Sequence, residues 1–424
     1  MIRLSFLGGF REVGRSAVLV DTGSEKILLD YGVKINVIPT EYPKEVNAKL
    51  DAILLSHSHL DHSGSIPIIY HQGQKCSFYG VEINRTLSRM LLFDSWKIAR
   101  YEGEEEKYTK KDIKTAMKHF KPVEYRKPFR IGKTRVTFFD AGHIPGSAMI
   151  LLETNNKRIL YTGDFRLSDT RLIKGADKNI PNVDVLITES TYSDREHPDR
   201  LEEEGKMITS IKETIANDGI VLISCFAIAR TQEVILALDE YDLKGNFYLD
   251  GMSKKATNII DAYPELQREY NQIKKALNRL KIRFITSPSI RKKAIKKPSV
   301  IITTSGMLTG GPITRYIEKL YDRDDCTLIL TGFQVPGTEG ALLLKTGNYI
   351  HEDLELKMKM SVRKFDFSSH ASRTELFNFA RQINPQKIFC VHGDNTIRFA
   401  KELRHEYGFD AISPKDDRIF LVEE

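Results

Sequence analysis

Three histidines and one aspartate fall within six residues at His57-Ser58-His59-Leu60-Asp61-His62, directly after the apolar run Ala52–Ser56. Imidazole nitrogen and carboxylate oxygen are the donors that borderline divalent metals take. In an extended or turning segment His57 and His59 point the same way, while Asp61 and His62 turn to a neighbouring position. The set therefore suits two adjacent metals better than one. The chain holds only 11 histidines in 424 residues, so three in six is not a product of composition. Two ions need further donors, and three segments offer them after apolar runs. His143 stands in Ala141-Gly142-His143-Ile144-Pro145-Gly146-Ser147, Asp164 in Tyr161-Thr162-Gly163-Asp164-Phe165-Arg166, and His392 in Val391-His392-Gly393-Asp394. Alone, each is an ordinary turn. Together with the first segment they read as one metal-binding set.

Strands must hold these donors. Ile2–Leu7, Ser16–Asp21, Lys26–Asp30 and Ala52–Ser56 are β-rich runs bounded by Gly or Asp, and Arg135–Asp140, Ala148–Glu153, Arg158–Thr162 and Val183–Glu189 repeat the pattern. Between the two groups, 80–118 is richer in helix formers. From about residue 194 strands and helices alternate. Helical spacing over Glu202–Asn217, Thr231–Glu240 and Leu266–Lys281 is interleaved with strand runs at Gly219–Ser224, Phe247–Leu249, Ser299–Thr304 and Thr327–Thr331. That rhythm predicts a parallel α/β layer. A strand at Lys387–Val391 and a helix at Thr396–Tyr407 close the pattern.

Composition excludes several classes. Apolar residues make up 41% and charged residues 29%, enough to bury a core and unlike a disordered polymer. No apolar run approaches the ~20 residues of a membrane span. Arg11 and Glu12 interrupt the N-terminal run, so a secretory leader is not expected. Cys76, Cys225, Cys326 and Cys390 are too dispersed for a zinc knuckle or a disulfide framework, which fits a reduced, cytoplasmic setting. The net charge of +7 permits a nucleic-acid partner without requiring one. Tyr270–Ile317 holds eleven Lys or Arg and no acid, a run suited to a polyanion.

The His57-x-His59-x-Asp61-His62 motif, followed in order by His143, Asp164 and His392, resembles the metallo-β-lactamase superfamily. The resemblance implies an α/β fold, a metallo-β-lactamase αββα sandwich, with two Zn²⁺ per chain. It assigns His57, His59 and His143 to one zinc, Asp61, His62 and His392 to the other, and Asp164 to both. Asp30 in Leu28-Leu29-Asp30-Tyr31-Gly32 matches the family's first aspartate and would orient a ligand through hydrogen bonds.

The 228-residue step from Asp164 to His392 leaves room for an inserted domain. That insert resembles the β-CASP domain of nucleic-acid-processing nucleases, in Phe226–Glu233, Ser305–Gly311 and Thr331–Thr338. The expected division is 1–193 and 366–424 for the metallo-β-lactamase domain and 194–365 for an inserted parallel α/β β-CASP domain. Glu189 in Thr188-Glu189-Ser190 matches the family's acidic residue, and His370 in Ser368-Ser369-His370 its second histidine motif. The nearest organisation is that of archaeal and bacterial homologues of the endonuclease subunit of cleavage and polyadenylation specificity factor, here starting directly at the metal-binding domain without KH modules.

This resemblance implies a zinc-dependent ribonuclease acting on single-stranded RNA in processing or decay. A hydroxide shared by the metals would attack phosphorus in line and leave 3′-hydroxyl and 5′-phosphate ends. His370 would protonate the leaving oxygen, Glu189 would orient it, and Asp61 could accept a proton from the water. Arg230, Ser305, Gly306 and Ser369 are candidate phosphate contacts. Endonucleolytic and 5′–3′ exonucleolytic action both stay open, as do a homodimer and partners in an RNA-processing complex. A catalytically silent scaffold and a small-ester metallo-hydrolase are the rival classes. The complete donor set argues against the first, the insert and His370 against the second.

Overall fold

A computed structural model describes residues 1–35, 39–415 and 418–422. The chain forms two compact units: Met1–Asp169 with Gly175–Glu196 and Ser369–Glu424, and Thr170–Lys174 with His197–Ser368.

The first unit is built on two seven-stranded sheets. In one, Ile2–Gly8 pairs antiparallel with Ala17–Asp21 and Ile419–Val422, and the sheet continues through Lys26–Leu29, Ala52–Leu54, Ser77–Val81 and Phe120–Val123. In the other, Thr134–Asp140, Ala148–Thr154 and Lys157–Tyr161 run as an antiparallel meander, then Val185–Thr188, Lys387–Cys390 and Asp410–Ile412 join in parallel. Alternate residues of each strand face opposite sides, so each sheet has an inner and an outer apolar face. The inner faces meet, with the Phe6 and Phe389 rings 5.1 Å apart. The outer faces are covered by helices. Ile113, Ala116 and Met117 of the Lys110–His119 helix join Ile53 and Phe78 of the first sheet. Phe377 and Phe399, from the Arg373–Ile383 and Thr396–Tyr407 helices, join Leu160, Leu186 and Ile388 of the second. This is a four-layer αββα sandwich.

The second unit has one six-stranded parallel sheet, ordered Arg283–Phe284, Phe247–Leu249, Ser299–Thr303, Ile220–Ser224, Thr327–Thr331, Ser361–Phe365. Its central strands are buried throughout, as expected where helices cover both faces. Ile313, Tyr316 and Ile317 of the Pro312–Leu320 helix pack on Leu222, Ile301 and Leu328.

Two sequence expectations need correction. The helix expected over Leu266–Lys281 occupies only Gln272–Arg279. Asn271 adopts a left-handed φ of 60°, and Gln267 Oε1 accepts the N–H of Ile273, so a side chain starts the helix late. The acid-free Tyr270–Ile317 run is also not uniformly cationic in space. Arg291 makes a two-pronged contact with buried Asp250, and Arg279 pairs with Asp239. Carboxylates remote in sequence neutralise both.

Candidate metal centre

The second sheet of the first unit delivers donors from the carboxyl ends of its strands. His143 follows Thr134–Asp140, Asp164 follows Lys157–Tyr161, Glu189 follows Val185–Thr188, and His392 follows Lys387–Cys390. The other sheet supplies His57, His59, Asp61 and His62 after Ala52–Leu54. Close backbone approach makes this convergence work. A Cβ on Gly163 would lie 2.6 Å from Ser56 Cβ, and one on Gly32 would lie 1.7 Å from the Asp61 carbonyl oxygen. Only glycine fits at either place.

Two donor sets result. His57, His59, His143 and Asp164 offer ligand atoms within 4.8 Å of one another, and so do Asp61, His62, Asp164 and His392. Asp164 belongs to both. Its Oδ2 lies 3.5 Å from His57 Nε2 and 3.7 Å from His143 Nε2. Its Oδ1 lies 3.3 Å from His62 Nε2 and 3.6 Å from His392 Nε2. His392 Nε2 is also 3.6 Å from Asp61 Oδ2. His59 Nδ1 stands 3.2 Å from both His57 Nε2 and His143 Nε2.

Hydrogen bonding links some of these atoms but does not satisfy all of them. Asp164 Oδ1 and His392 Nε2 are buried with no hydrogen-bond partner, an arrangement that costs free energy in a closed protein interior. Inward-facing lone pairs of nitrogen and oxygen, two sets sharing one carboxylate, fit a pair of divalent cations.

The outward-facing ring nitrogens are held in place. His62 Nδ1 lies 2.7 Å from Asp30 Oδ2, which also accepts from the Tyr161 hydroxyl at 2.8 Å and the Ser56 hydroxyl at 2.6 Å. Asp30 is fully buried and left-handed, with φ of 55°. The Ser16 hydroxyl lies 2.7 Å from His392 Nδ1, and the Ser369 carbonyl 2.9 Å from His143 Nδ1. Each partner fixes a ring so that its other nitrogen points inward. Ser16, Ser56 and Tyr161 were not anticipated. The only trace of Ser16 in the sequence is the Gly-rich stretch before it.

Charge follows the same geometry. Burial and neighbouring imidazoles hold His57 and His143 well below the usual histidine range, and burial brings His59 down to about 4. All three are therefore neutral, the form that donates a lone pair. Burial works against protonation of His62 too, but Asp164 and Asp30 outweigh it. Burial would raise Asp164, yet His392, His62 and His370 keep it ionised.

A third group adjoins the two sets. His370 Nδ1 lies 3.1 Å from Glu189 Oε2 and 3.9 Å from Asp164 Oδ2. Glu189 is 1% exposed, and its Oε1 accepts the Phe165 N–H at 2.9 Å. Burial tends to lower His370, but Glu189 and then Asp164 more than offset it and hold the ring protonated up to about 9.

Of the four proposed phosphate contacts, only Ser369 belongs to this unit, and its carbonyl is taken by His143. Arg230, Ser305 and Gly306 sit in the second unit, past the carboxyl ends of Ile220–Ser224 and Ser299–Thr303. There the Ser305 carbonyl accepts from Ser224 Oγ, its hydroxyl pairs with Thr309 Oγ1, and Gln334 Nε2 donates to the Gly306 carbonyl.

Comparison with known proteins places this geometry in a family. Residues 18–191 match a metallo-beta-lactamase superfamily domain, 231–343 a Beta-Casp domain, and 355–414 a Zn-dependent metallo-hydrolase RNA specificity domain. The chain is 39% identical to the probable RNase MJ4 of Methanocaldococcus jannaschii, covering 98% of both. It is 33% identical to RNase aCSPSF2 of Saccharolobus solfataricus, over 97% of this chain and 84% of that one. Transcription termination factor FttA of M. jannaschii is 35% identical, with 98% and 72% covered. A protein of unknown function from Enterococcus faecalis shares the fold over 99% of this chain, with a TM-score of 0.60 at 14% identity. The chain belongs to the metallo-β-lactamase superfamily and, within it, to the β-CASP group of archaeal homologues of the cleavage and polyadenylation endonuclease.

Proposed function

We propose that the protein is a zinc-dependent ribonuclease that hydrolyses phosphodiester bonds of single-stranded RNA, leaving 3′-hydroxyl and 5′-phosphate ends. The observation that carries this reading is the shared carboxylate of Asp164, one oxygen toward each donor set, beside the Glu189–His370 pair. His57, His59, His143 and Asp164 would hold one ion, and Asp61, His62, His392 and Asp164 the other. Bound there, the ions would supply hydroxide near neutral pH and neutralise charge on the phosphate oxygens.

The chain's own residues do the rest. Glu189 engages His370 Nδ1, which leaves Nε2 as the atom that gives a proton to the departing ribose 3′-oxygen. The Phe165 N–H fixes the Glu189 carboxylate, so the imidazole keeps one orientation. Asp61, the most exposed of the carboxylates around the donor sets with its side chain at 25%, would take the proton released by the attacking water. The relatives named RNase, and the match to an RNA specificity domain, support RNA over a small ester as substrate.

The test is cleavage of end-labelled RNA by the purified protein and its His59→Ala and Asp164→Ala variants. Cutting by the parent and its loss in both variants is expected. Full activity in either variant, or turnover of a small ester with none on RNA, would overturn the reading.

A further inference from the structure

At the opposite end of the second sheet from the donor sets lies a polar groove of about 750 Å³. Its walls come from the start of Thr134–Asp140, the turn between Ala148–Thr154 and Lys157–Tyr161, and the segments preceding Val185–Thr188 and Lys387–Cys390. Arg130, Lys133, Arg135, Lys157 and Arg158 line it, with Asn155 among its amide side chains. Two carboxylates share the lining. Glu153 takes Arg135 at 3.5 Å and Arg158 at 3.3 Å, and Asp184 takes Lys157 at 3.6 Å. Glu25, outside the lining, accepts the Lys133 N–H and the Thr134 hydroxyl. Arg130 and Lys133 have no carboxylate partner among the described residues. The groove thus carries surplus positive charge and many N–H donors. Its apolar lining residue, Val183, is buried in the core of the unit, so among the described residues the groove presents no exposed aromatic or aliphatic anchor of the kind a protein partner buries at an interface core.

We propose that this groove binds the phosphate backbone of single-stranded RNA as a docking site separate from the metal centre. The inference rests on RNA being the substrate. Strands of five to seven residues connect the two places. At ~3.3 Å per residue that is about 17–23 Å along the strand direction. A single strand must span at least that distance to engage both, and an RNA of about three nucleotides, with its two internal phosphates adjacent, is too short to do so. Long RNA should therefore gain from the groove, and very short RNA should not.

The experiment compares the full-length protein with Arg130→Gln/Lys133→Gln and, as a control of equal charge change, Lys97→Gln/Lys114→Gln. Binding of oligouridylates of about 24 and about three nucleotides is measured by fluorescence anisotropy across a salt series with zinc bound, cutting being suppressed by His370→Ala in every protein compared, and cleavage of both is measured with His370 present. A released ion per neutralised phosphate contributes ~0.7 to the salt slope of single strands. The groove variant should bind the long RNA about 5–10-fold more weakly, with a slope shallower by ~1.4, and cut the short RNA at the parental rate. The control should match the parent. Equal affinity and slope for the groove variant and parent would overturn the proposal while leaving the ribonuclease reading intact. So would groove-dependent binding of duplex RNA or polyglutamate with single-stranded RNA unaffected. A parent that neither binds nor cuts RNA would refute both.

Discussion

His370 is held as a cation by a carboxylate that is itself almost wholly buried, and this makes its protonation a readable quantity. If the protonated ring is the proton donor, activity is present below its pKa and lost as pH rises through about 9. Replacing Glu189 by Gln removes the largest raising influence, so the alkaline limb of kcat should move to lower pH. His370→Ala should lower kcat by roughly 10²–10⁴ while bound zinc stays unchanged. An unmoved limb, or metal loss on His370→Ala, would show a structural part instead. Asp140 gives a second residue-level prediction. Burial, reinforced by Asp177, pushes its carboxyl up to about 7. The folded form thus keeps a proton that the unfolded chain releases near 4, and stability falls as pH rises from about 4 to about 7. Asp140→Asn keeps an oxygen for the Gly142 N–H and should gain on the order of 1–2 kcal/mol at pH 8 and nothing at pH 4. Chemical denaturation at the two pH values checks it. The donor residues were legible because histidine and aspartate at such spacing have few other uses. Ser16, Ser56 and Tyr161 were not, since a hydroxyl that orients a remote ring looks in sequence like any other serine or tyrosine.

The elements that carry the donors are short strands ending in tight turns, and most were readable as β-rich runs closed by Gly or Asp. Ser77–Val81, Phe129–Ile131, Ser361–Phe365 and Ile419–Val422 were not. The last three are edge strands and Ser77–Val81 lies between Ala52–Leu54 and the edge strand Phe120–Val123; pairing with a neighbour rather than local periodicity defines them. The Arg373–Ile383 helix shows how an element holds a site residue. Ser372 accepts the Glu375 N–H, and Glu375 accepts the Ser372 N–H in return, two residues after His370. Ser372→Ala should cost about 1 kcal/mol, seen as a drop in Tm of a few degrees, with zinc content unchanged. No change in Tm would show that the cap contributes nothing.

Across the whole chain, the sequence's net charge of +7 is an imperfect guide, because folding pairs the basic run with distant acids such as Asp250 and Asp239. The order of strands in the six-stranded sheet was likewise invisible, since runs of equal apolarity can be shuffled without changing their composition. The two inward-facing donor sets also couple fold to metal. Ions that bind only the folded chain stabilise it by mass action, so chelation should lower Tm and re-addition of Zn²⁺ restore it. No helix among the described residues is long and apolar enough to cross a membrane. The most direct test is metal stoichiometry by native mass spectrometry, on the parent and on Asp164→Ala. Two zinc ions per parent chain, with both sites weakened in the variant, are predicted. A parent that stays metal-free in excess zinc, or an Asp164→Ala variant that keeps both ions, would contradict the account.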